Sequence, residues 1–440
     1  MRVVLLALLW LLAAAASSSA PSTQPIAIET RLFQPTVWLD APAWVEMRIT
    51  NVSSRDVVVD VGVKCPWNLE QDITVPQASG ATQRRDSCGV PGGSCMIPFP
   101  TRLAPGETLL RRYVVVGDFH ISRPGDYTVL FTHAIRYAWA QPSTVRPDDA
   151  HRDFESQHEA LTVRSSLTLH VLSAAPGAVL AVEKSLAQDA AAKALPSTPL
   201  PQSSDAATRE RLLEKRADQE YADLLRRWSI AQGLAEYPVV GMEQIFADWL
   251  RRGVGVDDWA FPALQRLNTP AARSVLAQVV TSKIKAGDAR DQSHRFVALD
   301  ELSEMGDKAY LPLFVSLVND GYRDVRVTAI RGLALLGGDS EVPMLAKLAR
   351  GQRSSEDRAE TLEAIGEARS RRAIPLLIAF FSLPDANQPT SSNDALFRLT
   401  HHSISSADLS TVEGAKVAWE RWWAANKGAI HVFGPFDCPT

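Results

Sequence analysis

Residues Asp324–Arg350 read DVRVTAIRGLALLGGDSEVPMLAKLAR. Apolar side chains recur every third or fourth position on both sides of a break at Gly337-Gly338-Asp339. Such spacing puts them on one face of a helix. The break is a turn signal. Pro343 stands at the start of the second apolar run, where the first helical N–H groups have no partner within the helix and proline is tolerated. The stretch predicts two helices joined by a tight turn.

The same text occurs on either side. RFVALDELSEMGDKAYLPLFVSLVND from Arg295, RVTAIRGLALLGGDSEVPMLAKLAR from Arg326 and RAETLEAIGEARSRRAIPLLIAFFS from Arg358 align on their arginines. Leu302, Leu333 and Ile365 then fall in one column, and Pro312, Pro343 and Pro375 in another. A single helical hairpin cannot bury its apolar face, so neighbours must stack into one long core. The repeats run over residues 289–321, 322–352 and 354–384. FPALQRLNTPAARSVLAQVV, Phe261 to Val280, reads as a degenerate earlier copy.

These features resemble the HEAT-like repeat family, including its short bacterial (PBS-lyase-type) form. The matched residues are the entry Asp324-Val325-Arg326, the Gly338-Asp339 turn and the proline-led second helix. The resemblance implies that Asp324 and Arg326 stitch adjacent repeats. The third unit departs from the pattern at EARSRR, where no Gly-Asp occurs. At the C-terminal end Trp419, Trp422 and Trp423 are spaced i, i+3 and i+4, on one helix face. Over 411–427 this is read as a cap on the last repeat's open core; an aromatic site for a sugar or peptide is the alternative.

The front of the chain has a different period. VEMRIT (Val45 to Thr50) alternates apolar and polar residues, and VVVDVGV, TLLRRYVVV, DYTVLF and LTVRSSLTLHVL are further strand-like runs. Turn signals NVSSRD, APGE and RPGD lie between them. Residues 21–172 are expected to form a β-sandwich. The segment RLAPGETLLRRYVVV to FHISRPGDYTVLF resembles the immunoglobulin-like modules of bacterial exported proteins, and some bacterial proteinase inhibitors share this appearance. Two long connections read either as binding loops or as decoration of the sandwich: Lys64 to Pro105, with a further strand allowed at Leu69 to Val75, and His133 to Glu159 with Tyr137 and Trp139. Residues 173–207 shift to Ala, Pro and Ser and read as a linker whose first part has helical potential; 208–440 form the helical solenoid. The fold class expected is therefore an immunoglobulin-like all-β sandwich followed by an all-α HEAT-like solenoid.

Residues 1–20 have the plan of a secretory signal peptide: Arg2, an apolar run from Val3 to Ala16, then small residues. That run is shorter than the roughly 20 residues a spanning helix needs. We expect a secreted or periplasmic protein with no membrane span after cleavage. Export makes Cys65, Cys88, Cys95 and Cys438 disulfide candidates, and four thiols allow three pairings. The turn-rich GVPGGS between Cys88 and Cys95 favours that pair, which leaves Cys65 and Cys438.

A net charge of −4 gives no electrostatic case for nucleic acid. HEALT at His158 lacks the second histidine of a zincin, GVG at Gly253 lacks a third glycine, and no nucleophile elbow, P-loop or calcium loop occurs. His401 and His402 are adjacent and face different ways, so they do not suggest a shared metal. No catalytic residue, cofactor or metal is expected. The expected function is a non-enzymatic scaffold binding a protein or peptide. Its expected contact set is Ser316, Asn319, Lys347 and Arg350 at polar positions of the second helices, with Tyr137 and Trp139. A proteinase inhibitor acting through sandwich loops, and an envelope-associated enzyme without a motif, are the alternatives.

Overall fold

The computed structural model describes residues 24–39, 41–61, 71–75, 100–115, 121, 123–140, 154, 158–173, 176–192, 205–282, 289–352, 354–383 and 388–432. Residues 1–20 and all four cysteines lie outside these, so the expected signal peptide and the expected cysteine pairings fall outside the described residues.

Two sheets make up the front of the chain. β1 (Ile26–Leu32), β3 (Trp44–Asn51) and β7 (Thr108–Val114) form a three-stranded antiparallel sheet in the order β1-β3-β7. The larger sheet runs β2 (Thr36–Trp38), β9 (Glu159–Leu172), β8 (Gly125–Trp139), β4 (Val57–Asp60), β6 (Thr101–Leu103), and β5 (Gln71–Thr74) also pairs with β8. β2 joins β9 in parallel, whereas the other pairs are antiparallel. Because side chains alternate along a strand, Val45, Met47 and Ile49 face Val57, Val59, Val129, Phe131, Ile135 and Leu169 in one core.

β8 corrects the loop expected from His133 onward. Phe131, His133, Ile135 and Tyr137 alternate inward and are all buried, so the strand continues to Trp139. The polar His133 concealed this periodicity. Its Nε2 lies 2.7 Å from the Val61 carbonyl, which supplies the partner a buried imidazole needs, and burial lowers its pKa.

The first part of the expected linker takes the helix that its sequence allowed. Residues Pro176–Ala190 form helix α1, which packs along α2 (Ala206–Glu236) and buries Leu186, Ala187 and Ala190 in the helical core. The alanine-rich composition that suggested a linker is what allows close helix packing here. Residues 193–204 lie outside the description.

The outer face of the small sheet is covered by α2. Trp44, on that face of β3, belongs to the helical core rather than to the sandwich core. It is fully buried, and its indole N–H donates to the Ser229 carbonyl at 2.8 Å. Gly233 makes the approach feasible, since a Cβ there would lie 2.3 Å from the indole ring. Beside it, Glu46 accepts hydrogen bonds from Arg31 at 2.8 Å and Arg112 at 3.2 Å. Burial alone would raise the Glu46 pKa, but these two guanidinium groups outweigh it and hold the carboxyl below its ordinary value.

On α1, Glu183 is fully buried. One carboxyl oxygen accepts from the Val239 N–H at 3.3 Å, and the other has no partner. Desolvation dominates and raises the pKa to about 8. The folded state therefore holds a proton that the unfolded chain releases near 4.5, so stability falls as pH rises through that interval. Glu183→Gln is expected to flatten this part of the stability profile, read as melting temperature between pH 5 and 8. Parallel profiles for the two proteins would show that Glu183 is not held neutral.

The remaining helices pair into hairpins after α3 (Glu243–Arg252): α4 (Ala260–Leu267) with α5 (Pro270–Thr281), α6 (Ala289–Glu304) with α7 (Leu311–Leu317), α8 (Arg323–Gly337) with α9 (Val342–Gly351), and α10 (Ser355–Glu367) with α11 (Ala373–Phe380). α12 (Gln388–Thr400), α13 (Ser406–Leu409) and α14 (Val412–Asn426) complete the chain's described helices. First helices touch in the succession α4, α6, α8, α10, α12, and each second helix packs on the first helix of the next hairpin. Leu302, Leu333 and Ile365 are fully buried along this stack.

The three aligned arginines do one job. Each donates to carbonyls left free where the preceding helix ends: Arg295 to Val280 at 2.9 Å, Arg326 to Asp320 at 3.0 Å, and Arg358 to Ala349 at 3.2 Å and Gln352 at 2.7 Å. Such carbonyls have no partner within their own helix. Within the first unit Asp320 binds Arg295 at 2.7 Å, and between adjacent units Arg326 meets the Asp357 carboxylate at 3.6 Å. Asp324, expected in that role, lies in the first turn of α8, where negative charge suits the helix dipole. In the third unit Arg369 takes the left-handed conformation (φ 49°), and buried Ser370 donates to Asp339 of the preceding turn. That contact replaces the missing Gly-Asp.

Candidate functional site

Phe314 and Val318 of the α7 segment, and Leu345, Ala346 and Ala349 of α9, are the inward positions. Helical spacing then turns Ser316, Asn319, Lys347 and Arg350 outward, and all four are exposed. Counted from Pro312 and Pro343, Ser316 matches Lys347 and Asn319 matches Arg350. Ser316 Oγ donates to the Leu313 carbonyl within its own helix at 2.6 Å. The Arg350 guanidinium lies over the Phe380 ring of α11, 5.3 Å from its centre. Val315 adds exposed apolar surface beside Ser316. This layer offers two cations, two neutral hydrogen-bonding groups and some apolar area.

The first-helix layer carries the opposite balance. Asp300, Arg331, Glu367 and Arg398 form a chain of ion pairs across α6, α8, α10 and α12, at 3.7, 2.6 and 3.2 Å. Glu301 and Glu304 add further acid on α6. Burial first, then repulsion from Glu304 and Asp300, raises the Glu301 pKa to about 8.

On β8, Tyr137 is buried and its hydroxyl donates to Glu159 at 2.6 Å. It is a structural tie between β8 and β9 rather than an open contact. Trp139 is 40% exposed, with the Arg55 guanidinium 4.7 Å from its ring centre.

Trp419 is fully buried, and its indole N–H donates to Asn393 at 3.1 Å. Trp422 and Trp423 are partly buried against the same core. His402 stacks on Trp422 at 4.8 Å, whereas His401 stacks on Phe397 at 6.1 Å. The adjacent histidines thus serve different aromatic neighbours, and burial lowers the His402 pKa.

A cluster absent from the sequence reading joins the front of the stack. Asp257, Asp258 and His294 bring their ligating atoms within 4.8 Å of one another. Asp257 is buried in a short 3₁₀ turn, Asp257–Trp259, and accepts from the Gly255 N–H at 2.9 Å. Its other oxygen faces His294 Nε2 at 3.2 Å and also accepts from Arg290. Burial opposes charge on both partners, yet their mutual bonds prevail: His294 rises to about 9 and Asp257 falls to about 2. With the Arg290 guanidinium on the same carboxylate oxygen as His294, the charges of the group are paired among its own side chains. The group is built as an ion cluster tying the 3₁₀ turn to α6. The one sequence signal was Arg290 and His294 spaced i, i+4.

For His294 the raised folded pKa supplies stability that is complete below about 6.5 and disappears as pH climbs through about 9. Asp257 contributes above 3.8 and loses its contribution as pH falls through about 2. Imidazole NMR is expected to show one histidine titrating near pH 9 and missing in His294→Gln. A midpoint near 6.5 would dismantle the ion cluster.

The fold and these surfaces define a two-part protein, β-sheets followed by stacked helices. No protein-family profile matches the chain, and no curated protein matches it. No helix among the described residues is long and apolar enough to cross a membrane.

Proposed function

We propose that the chain is an exported, non-enzymatic scaffold that binds a protein or peptide through the outward face of its second helices. On this reading the stacked hairpins are a HEAT-like solenoid and the two front sheets an immunoglobulin-like sandwich. The observation that carries it is the pairing of Ser316 with Lys347 and of Asn319 with Arg350 at equivalent, exposed positions of successive hairpins. A repeat array presents such columns on a rigid, extended surface, as binding solenoids do. The cations recruit acidic or carboxylate-bearing partners, and Val315 contributes apolar contact. Support for export is the plan of the first twenty residues.

The test compares the full chain with its Lys347→Glu, Arg350→Glu double variant as bait in the host's exported fraction. Both side chains are exposed, so the variant is expected to fold normally. A partner retained by the first protein and lost by the second supports the reading. Identical capture by both refutes it, and capture of a protease by both would favour the inhibitor alternative.

A further inference from the structure

β9 has one edge that is only partly used. From Glu159 to Val171 it pairs with β8, but on its other side β2 covers no more than His170, Val171 and Leu172. There the His170 N–H donates to the Pro35 carbonyl, and the Leu172 carbonyl accepts from the Leu39 N–H, each at 2.9 Å. Even-numbered residues of β9 thus aim their backbone groups away from β8. The direction alternates along a strand, so Ala160, Thr162, Arg164, Ser166 and Thr168 present their N–H and C=O groups to that same side. No described strand pairs with them there, and all five are exposed.

The core beside this stretch is incompletely covered. Leu169 and Val171, next to β2, are buried, whereas Leu161, Val163 and Leu167 on the same row stay partly exposed. The chain before β2 belongs to the small sheet as β1, which touches β9 through Thr30 and Ser165 but does not pair with it. Among the described residues, the lane that β2 fills is therefore open beyond Pro35. A long unpaired edge is a template for another strand.

Arg164 decides what can enter. It stands at the middle of the open edge, and its side chain makes no ion pair or hydrogen bond with the described residues. Thr132, its neighbour on β8, brings no charge. Two copies of β9 laid edge to edge across a two-fold axis at that midpoint would oppose Arg164 to itself, and like charges directly opposite are destabilising. A strand with an acidic side chain at that place gains instead.

We propose that the open edge of β9 binds an extended segment of a partner protein as an added strand, with an acidic side chain opposite Arg164 and apolar side chains beside Leu161, Val163 and Leu167. Backbone hydrogen bonds give such binding its affinity, and alternate side chains give it selectivity. The site lies on the sheets and does not depend on the function proposed for the second-helix face.

Fluorescence anisotropy of the full chain with two labelled peptides tests this. Both alternate valine with threonine, and at the central outward position one carries glutamate and the other lysine. The glutamate peptide is expected to bind about tenfold tighter, the combined effect of an opposite-charge gain and a like-charge loss. Arg164→Glu is expected to fold normally, because the side chain is exposed, and to reverse that preference. Ser166→Pro removes an N–H that β8 does not use. It is expected to keep the sheet, checked by circular dichroism, and to abolish binding of both peptides. Equal affinity for the two peptides, no binding of either, or an unchanged preference in Arg164→Glu would each overturn the proposal. So would a concentration-dependent dimer in sedimentation that Ser166→Pro dissolves, because the edge would then belong to a second copy of the chain.

Discussion

Trp44→Ala is expected to destabilise the protein by about 3–5 kcal/mol, the range for emptying a buried large aromatic site. The indole is fully buried among helical residues although it grows from a strand. Its loss leaves a void against Gly233 and frees the Ser229 carbonyl. Neither side collapses easily, because the sheet and α2 are each held by their own hydrogen bonds. Denaturant unfolding should show the full loss in one transition, since both parts share the anchor. Trp44→Phe, which keeps most of the volume but not the N–H, should cost less. A change below about 1 kcal/mol for Trp44→Ala, short of the range for such truncations, would mean that the sheet does not dock on α2.

Leu333→Ala is expected to cost about 2–5 kcal/mol. Leu333 is fully buried in α8, and α8 is in contact with α6, α7 and α10. Gly332 beside it admits Phe314 of α7, whose ring lies where a Cβ would stand. In a stack where each unit is stabilised by its neighbours, damage spreads to adjacent hairpins. Amide exchange should therefore accelerate in α6 and α10 as well as α8. Acceleration confined to α8 would contradict a shared core.

The repeats were legible in sequence because their apolar period survives in each copy. Arg295, Arg326 and Arg358 set the alignment, and the same side chains turn out to bind the free carbonyls before them. Asp324 misled because a motif position says nothing about which carboxylate meets the arginine; Arg326 meets Asp357 of the next unit. The end of β8 was obscured by His133 and Arg136, polar residues that interrupt the look of a strand while keeping its alternation. Pro176–Ala190 was ambiguous because alanine suits both a linker and a tightly packed helix.

The candidate sites were less legible. Exposure of Ser316, Asn319, Lys347 and Arg350 follows from helical spacing. The Asp257–His294–Arg290 cluster does not follow from spacing, since it joins separate segments of the chain. The docking of α2 on the small sheet is equally hidden, because local periodicity carries no information about it. Trp44 gave a faint sign, a large aromatic on the polar side of an alternating strand.

Trp44 also sets an order of assembly. Synthesis delivers the chain from its N-terminus, and early parts generally begin to fold before later parts exist. β3 is made long before Ser229 and Gly233, the groups that receive its indole. Until those residues emerge, the small sheet must present Trp44 and Phe33 to whatever surrounds the nascent chain. The small sheet is therefore made first but covered only once α2 follows, and a chain stopped before α2 leaves an adhesive face exposed to chaperones and to other copies of itself.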